Sequence, residues 1–220
     1  MDRADLSRRI SSILSEVTRL TNALCALNIT DIKRYPENYE VLSTDAVHRA
    51  ERITCRLRHL VYLTTKIKKE DYLVTAADIQ GIEIEYTDRI LNITLPCLFP
   101  RQNQRQNLEY LLDPLIAALS RYTKAHPMPR FRNCMICFSV VYSRELPQER
   151  ILDYDDQELK RLQDVVASFF LTDDSGRLCD DCHITELGEA DCTRISIMDT
   201  KLFPEWYIAK KSVPQFLPDL

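Results

Sequence analysis

Glycine is scarce in this sequence, with three residues in 220. Loops that cradle phosphate through backbone amides need several glycines close together, so P-loop and dinucleotide-fold readings are excluded. Long apolar runs are missing too. None approaches the roughly twenty residues that a membrane span requires. The first residues, MDRADLSRRISSILSEV, alternate charge with apolar side chains and contain no signal-peptide core. A cytoplasmic chain without membrane contact is the expectation. In that setting the eight cysteines are not expected to form disulfides.

What is present describes a globular protein, 45% apolar and 28% charged. The length suits one large domain or a smaller domain with an appendage. The net charge of −4 hides an asymmetry. Residues 43–69 carry seven Lys and Arg against Asp45 and Glu51, and residues 101–132 carry six against Glu109 and Asp113. From Glu145 to Asp199 the balance reverses to fifteen acids against five bases. The basic stretches could contact phosphate, and the acidic one would repel it unless a cation intervenes. Arg101, Arg105, Arg130 and Arg132 are the candidate DNA contacts.

Leu6, Ile10, Ile13, Val17, Leu20, Leu24 and Leu27 recur at alternating spacings of four and three. That is a coiled-coil-like seam, and it predicts an amphipathic helix. After a loop over 28–42, Ser43-Thr44-Asp45 offers a cap for a second helix with Val47, Ala50, Thr54, Leu57, Leu60, Val61, Thr64 and Ile67 facing inward. Residues 1–75 should form a helical hairpin, closed on itself or paired with a second copy. Residues 78–200 then read as strands over 81–86 and 89–95, a helix over 108–122 containing Pro114, a strand over 131–142, a helix over 157–170, and strands over 177–186 and 192–199. Residues 201–220 read as a tail. The order predicts an α+β fold: a helical hairpin plus a two-layer domain of mixed sheet with two helices on one face.

Two acidic clusters flank the helix over 157–170. Asp153-Tyr154-Asp155-Asp156 precedes it, with Asp155 and Glu158 at capping-box spacing, and Asp173-Asp174 follows it. Carboxylates converging at one end would repel one another without a cation, and oxygen-only sets suit Mg²⁺. Asp-Asp before Ser-Gly is equally ordinary turn chemistry. Two CxxC pairs also occur, Cys134 with Cys137 and Cys179 with Cys182, the latter followed by His183. The first pair sits in an apolar strand, where residues three apart point to opposite faces and cannot hold one ion. Cys179, Cys182 and His183 could form half of a zinc site.

Taken together, residues 89–199 resemble a RusA-type Holliday-junction resolvase. Leu91-Asn-Ile-Thr-Leu-Pro96 with Pro100 and Asn103 resembles the first strand, Pro-rich turn and Asn of that family. Residues 108–122 stand at its first helix and 128–142 at its long strand. Asp153-Tyr-Asp155-Asp156 resembles its Asp-x-Asp-Asn motif, and Asp173-Asp174 its closing acidic pair. The resemblance implies that Asp153, Asp155 and Asp174 hold Mg²⁺, and that Lys160 assists as a cation beside the phosphate. It also implies hydrolysis of a phosphodiester in branched DNA by a homodimer. Asp156 stands where the motif has Asn, and Lys160 lies one place further along the helix than the pattern, a rotation of about 100°. Two further readings stand beside the endonuclease: a non-catalytic RusA-like interaction module dimerised through its N-terminal helices, and a zinc-stabilised adaptor.

Overall fold

The computed structural model describes residues 2–98, 108–146, 151 and 159–212. The chain divides into two compact units, residues 1–72 with 106–111, and residues 73–105 with 112–220.

The first unit is built on α1 (Arg3–Ile29) and α2 (Pro36–Thr64). Arg49 reaches Glu16 at 3.2 Å and Arg56 reaches Ser12 at 3.1 Å, so the two helices run antiparallel. α2 begins seven residues before the expected Ser43 cap. Its first helical residue is Pro36, whose fixed φ suits a helix start and whose missing N–H costs nothing there. The heptad seam of α1 is split. Ile13 is buried and Leu6, Leu20 and Leu27 are half-buried, whereas Ile10, Val17 and Leu24 are exposed, together with Leu14 at 59%. On α2 the buried positions are Ala46, Ile53 and Arg58 rather than the expected set; Val47, Ala50, Leu57 and, beyond the helix, Ile67 are exposed. Glu16, buried among these, is held by Arg19 at 3.3 Å and by Arg49, and Arg49 is also bound to Asp45 at 2.7 Å. A buried carboxylate is tolerated because cations satisfy it.

A third helix, α3 (Lys69–Gln80), follows, which the sequence reading did not include. Glu70 and Asp71 favour its N-terminus, and Leu73, Ala76 and Ala77 supply a narrow buried stripe. The chain then runs β1 (Glu83–Thr87), β2 (Ile90–Leu95), α4 (Leu108–Ala125), β3 (Cys134–Ser143), α5 (Leu159–Phe170), β4 (Cys179–Gly188), β5 (Cys192–Asp199) and α6 (Phe203–Ser212), all in the second unit except the first four residues of α4. The five strands form one mixed sheet in the order β1-β2-β5-β3-β4. β1 and β2 are joined by Asp88 and Arg89, both at positive φ, the two-residue connection whose twist matches a hairpin. β3 pairs antiparallel with β5 and parallel with β4. A parallel pair demands a crossover, and α5 lies in it. Its buried residues Leu159, Leu162, Val166 and Phe170 recur at helical spacing. The observed architecture is the expected α+β fold with N-terminal helices and a mixed sheet.

The residues expected to be a tail include α6. Pro204 and Glu205 open this helix, and Lys210 and Lys211 close it, a charge order that complements the helix dipole. Lys210 anchors it to Glu186 on β4 at 2.8 Å. Gly188 closes β4 because a side chain there would meet Val141 Cγ1 at 2.6 Å. Among the described residues no helix is long and apolar enough to cross a membrane.

Pro114 lies inside α4, where its missing N–H leaves the carbonyl of Tyr110 without its helical partner. The buried Arg58 donates to that carbonyl at 3.3 Å and stacks over the Tyr110 ring at 5.0 Å. Arg58→Met should destabilise the chain by about 2–3 kcal/mol, from a lost charged hydrogen bond and a cation–π contact. Pro114→Ala should be more stabilising in the Arg58→Met background than in the wild type, by about 1 kcal/mol, because it gives the carbonyl a new donor. Urea unfolding of the four proteins measures this coupling; simple additivity would contradict it.

Candidate functional site

The crossover from β3 to β4 carries the described part of the acidic site. Phe131 bridges Leu171 in parallel, its N–H donating to the Phe170 carbonyl at 2.8 Å, and Thr172 donates back to Phe131 at 3.0 Å. These bonds fix the point where α5 ends and the chain turns towards β4. Asp173 occupies the turn that follows: its Oδ1 accepts the Ser175 N–H at 3.1 Å and its Oδ2 accepts the Ser175 hydroxyl at 3.0 Å. Asp173 therefore does the local hydrogen bonding that Asp residues do in turns. Asp174 is exposed beside it.

Lys160 is in the first turn of α5, with its ammonium 3.1 Å from Asp164 Oδ1 one turn on. The hydrogen bond to Asp164, reinforced by the charges of Asp164 and then of Asp174 and Asp181, raises its pKa. The side chain is a cation pointing along α5 towards the acidic turn. α5 has twelve residues, so its axis spans about 18 Å between its start and that turn. Asp153, Asp155 and Asp156 lie outside the described residues, as do Arg101 and Arg105.

Arg130 has a task of its own. Its guanidinium donates to the Leu171 carbonyl at 2.9 Å and to the Ser168 carbonyl at 3.0 Å, so it caps the C-terminal end of α5. Arg132 is exposed. Among the described residues no group of three or more His, Cys, Asp or Glu is placed to hold a metal ion. Asp174 supplies one exposed carboxylate, and Mg²⁺ takes one or two when phosphate completes its shell.

The cysteines are arranged differently from the zinc half-site considered above. Cys179 and Cys182 are three apart on β4 and face opposite sides of the sheet. His183 instead pairs with Asp181 at 3.5 Å and packs edge-on against Phe138, ring centroids 5.6 Å apart. Each cysteine of β4 is level with one of β3: Cys134 with Cys179 and Cys137 with Cys182. The Cys137 and Cys182 sulfurs are 2.7 Å apart. The hydrogen bond from Cys137 lowers the Cys182 thiol, while the same bond and burial raise Cys137. Sequence reasoning missed this pairing. The available signal was that each CxxC opens a strand of one strand–helix–strand unit.

A second feature lies in the helical unit. Arg9, Ser12, Ile13, Arg56, His59 and Leu60 line a cavity of about 240 Å³ between α1 and α2. Among the described residues that line it there is no carboxylate, and its guanidiniums, hydroxyl and imidazole suit an anion such as phosphate.

The chain belongs to a family of unknown function (DUF6100), whose sequence model matches residues 2–218. No curated protein matches it.

The placement of Arg130 generates a test of its role. Arg130→Ala should lower stability by about 1–2 kcal/mol in the absence of DNA, from two lost charged hydrogen bonds that are partly exposed. Urea unfolding with unchanged stability would release Arg130 from its capping role.

Proposed function

We propose that this chain is a RusA-like endonuclease that cuts branched DNA with Mg²⁺, its sites paired in a homodimer. The observation that carries the proposal is the order of elements: β2, α4, β3, then α5 leading into the Asp173-Asp174 turn and β4. This is the succession that the resemblance calls for, with the acidic turn in its strand–helix–turn context. In this reading Asp153, Asp155 and Asp174 hold the ion, and Lys160 stands by the phosphate. The chemistry supplied by a bound Mg²⁺ is neutralisation of charge on the phosphodiester while water attacks. The chain itself supplies a turn stiffened by Asp173 and Ser175, an exposed Asp174, and an ammonium kept protonated by Asp164. Within the helical unit, the cavity lined by Arg9, Arg56 and His59 offers a seat for a backbone phosphate.

Asp174→Asn, and separately Asp155→Asn, should reduce cleavage of a mobile four-way junction about a hundredfold or more, with circular dichroism unchanged. Cleavage at the wild-type rate by both variants would remove the catalytic assignment.

A second reading, a non-catalytic relative that binds nucleic acid or protein, draws on the engagement of Lys160 by Asp164 and of Asp173 by its own turn. Junction binding in EDTA without cutting in Mg²⁺ selects it. Absence of binding at moderate salt removes nucleic acid from both readings.

Self-association draws on the outer stripe of α1. Ile10, Leu14, Val17 and Leu24 follow heptad spacing on the exposed side of a 27-residue helix, and a second copy presents the same stripe. The chain should sediment as a dimer at tens of micromolar, and the double substitution Leu14→Glu with Leu24→Glu should shift it to monomer. A wild type that sediments as monomer would refute the stripe as an interface.

A further inference from the structure

The two CxxC motifs are not absorbed by the nuclease reading, and the sheet gives them a common geometry. β3 and β4 pair in parallel with no offset between the motifs, so two thiols meet on each face. The pairs differ in access. Cys134 and Cys179 are 1% and 7% exposed, and both are shut in. Cys137 is fully buried, but Cys182 is half-buried and opens towards solvent. The sulfurs of this second pair, at 2.7 Å, are well inside the roughly 3.5–4.0 Å at which unbonded heavy atoms sit best. Neighbouring strands lie about 4.8 Å apart, within the Cα separations that a disulfide bridges.

We propose that Cys137 and Cys182 are an oxidisable dithiol that closes into a cross-strand disulfide when the protein meets hydrogen peroxide. Cys182 is the sulfur the oxidant reaches. As thiolate it attacks one peroxide oxygen, the O–O bond breaks, and the departing hydroxide takes up the thiol proton to leave as water. Cys182 is then a sulfenic acid. Cys137 needs no access of its own because it already touches Cys182. Its sulfur attacks the Cys182 sulfur, the S–O bond breaks, and hydroxide leaves with the Cys137 proton as a second water. Two thiols and one peroxide become one disulfide and two waters. The setting favours the order of events. The hydrogen bond with Cys137 lowers the Cys182 thiol, and the Lys210 ammonium on α6 acts in the same direction against the opposing effects of burial and Asp181. Once Cys182 is ionised, Cys137 is the partner left to donate across the 2.7 Å contact, and that bond stabilises the nucleophilic thiolate.

The full chain, carrying Cys25→Ser to remove the exposed thiol of α1, tests this. After treatment with hydrogen peroxide, unfolding and alkylation, the thiol count should fall by two. Peptide mass spectrometry should find residues 133–144 joined to 178–194, reversibly with dithiothreitol. The link should persist in Cys179→Ser and disappear in Cys182→Ser, and both variants keep at least one pair intact. An unchanged thiol count, or a link that survives Cys182→Ser and is lost in Cys179→Ser, would overturn the proposal.

Discussion

The parallel pairing of β3 with β4 is the constraint on which the rest of the second unit depends. β3 lies between β4 and β5 and is buried along nine of its ten residues. An interior strand that is apolar on both faces needs cover on both faces. Because β4 runs the same way as β3, the chain must return the length of the strand before it can pair, and α5 makes that return. The turn that follows α5 is pinned by Phe131, Leu171 and Thr172, and it carries Asp173 and Asp174. The same pairing brings Cys137 level with Cys182. Acidic turn and dithiol are thus two consequences of one strand alignment.

The charges of the sequence are divided unevenly along it. The acidic part of the sequence is concentrated around the crossover, while the helical unit holds a cavity lined by Arg9, Arg56 and His59. At the crossover the excess of carboxylates would repel a polyanion unless a divalent ion offset it, and that excess favours the non-catalytic reading. The exposed half of the α1 seam fits a symmetric assembly, because a C2 pairing buries the same patch from each copy. Two sites related in that way suit a substrate with two equivalent strands to cut.

Much of the fold was legible in the sequence, and the failures have physical causes. Strand β2 and helices α4 and α5 have the periodicity that the sequence shows, since burial repeats at two residues along β2 and near 3.6 along α5. α3 was missed because its buried stripe is mostly alanine, which carries little signal amid Lys69, Glu70 and Asp71. α6 was missed because its helix signal lies in Pro204 and the ordering of charge, and none of its residues is fully buried. On α2 the apolar residues were read as inward, yet Val47 and Leu57 are exposed and Arg58 is buried. Arg58 is there for a carbonyl freed by Pro114, some fifty residues away, and no local pattern encodes that. The opposite facing of Cys134 and Cys137 was legible from strand geometry. What each of them faces required the partner strand, its direction and its register, all of which are non-local.

Register is therefore the claim to test. A slip of one residue between β3 and β4 turns every side chain of one strand to the other face. It would separate Cys137 from Cys182 and draw the turn at Asp173 and Asp174 out of place. Backbone nuclear Overhauser contacts in isotope-labelled protein measure it directly. The structure calls for a parallel pattern with Cys137 opposite Cys182 and Phe138 opposite His183; contacts shifted by one residue, or an antiparallel pattern between these strands, would contradict it.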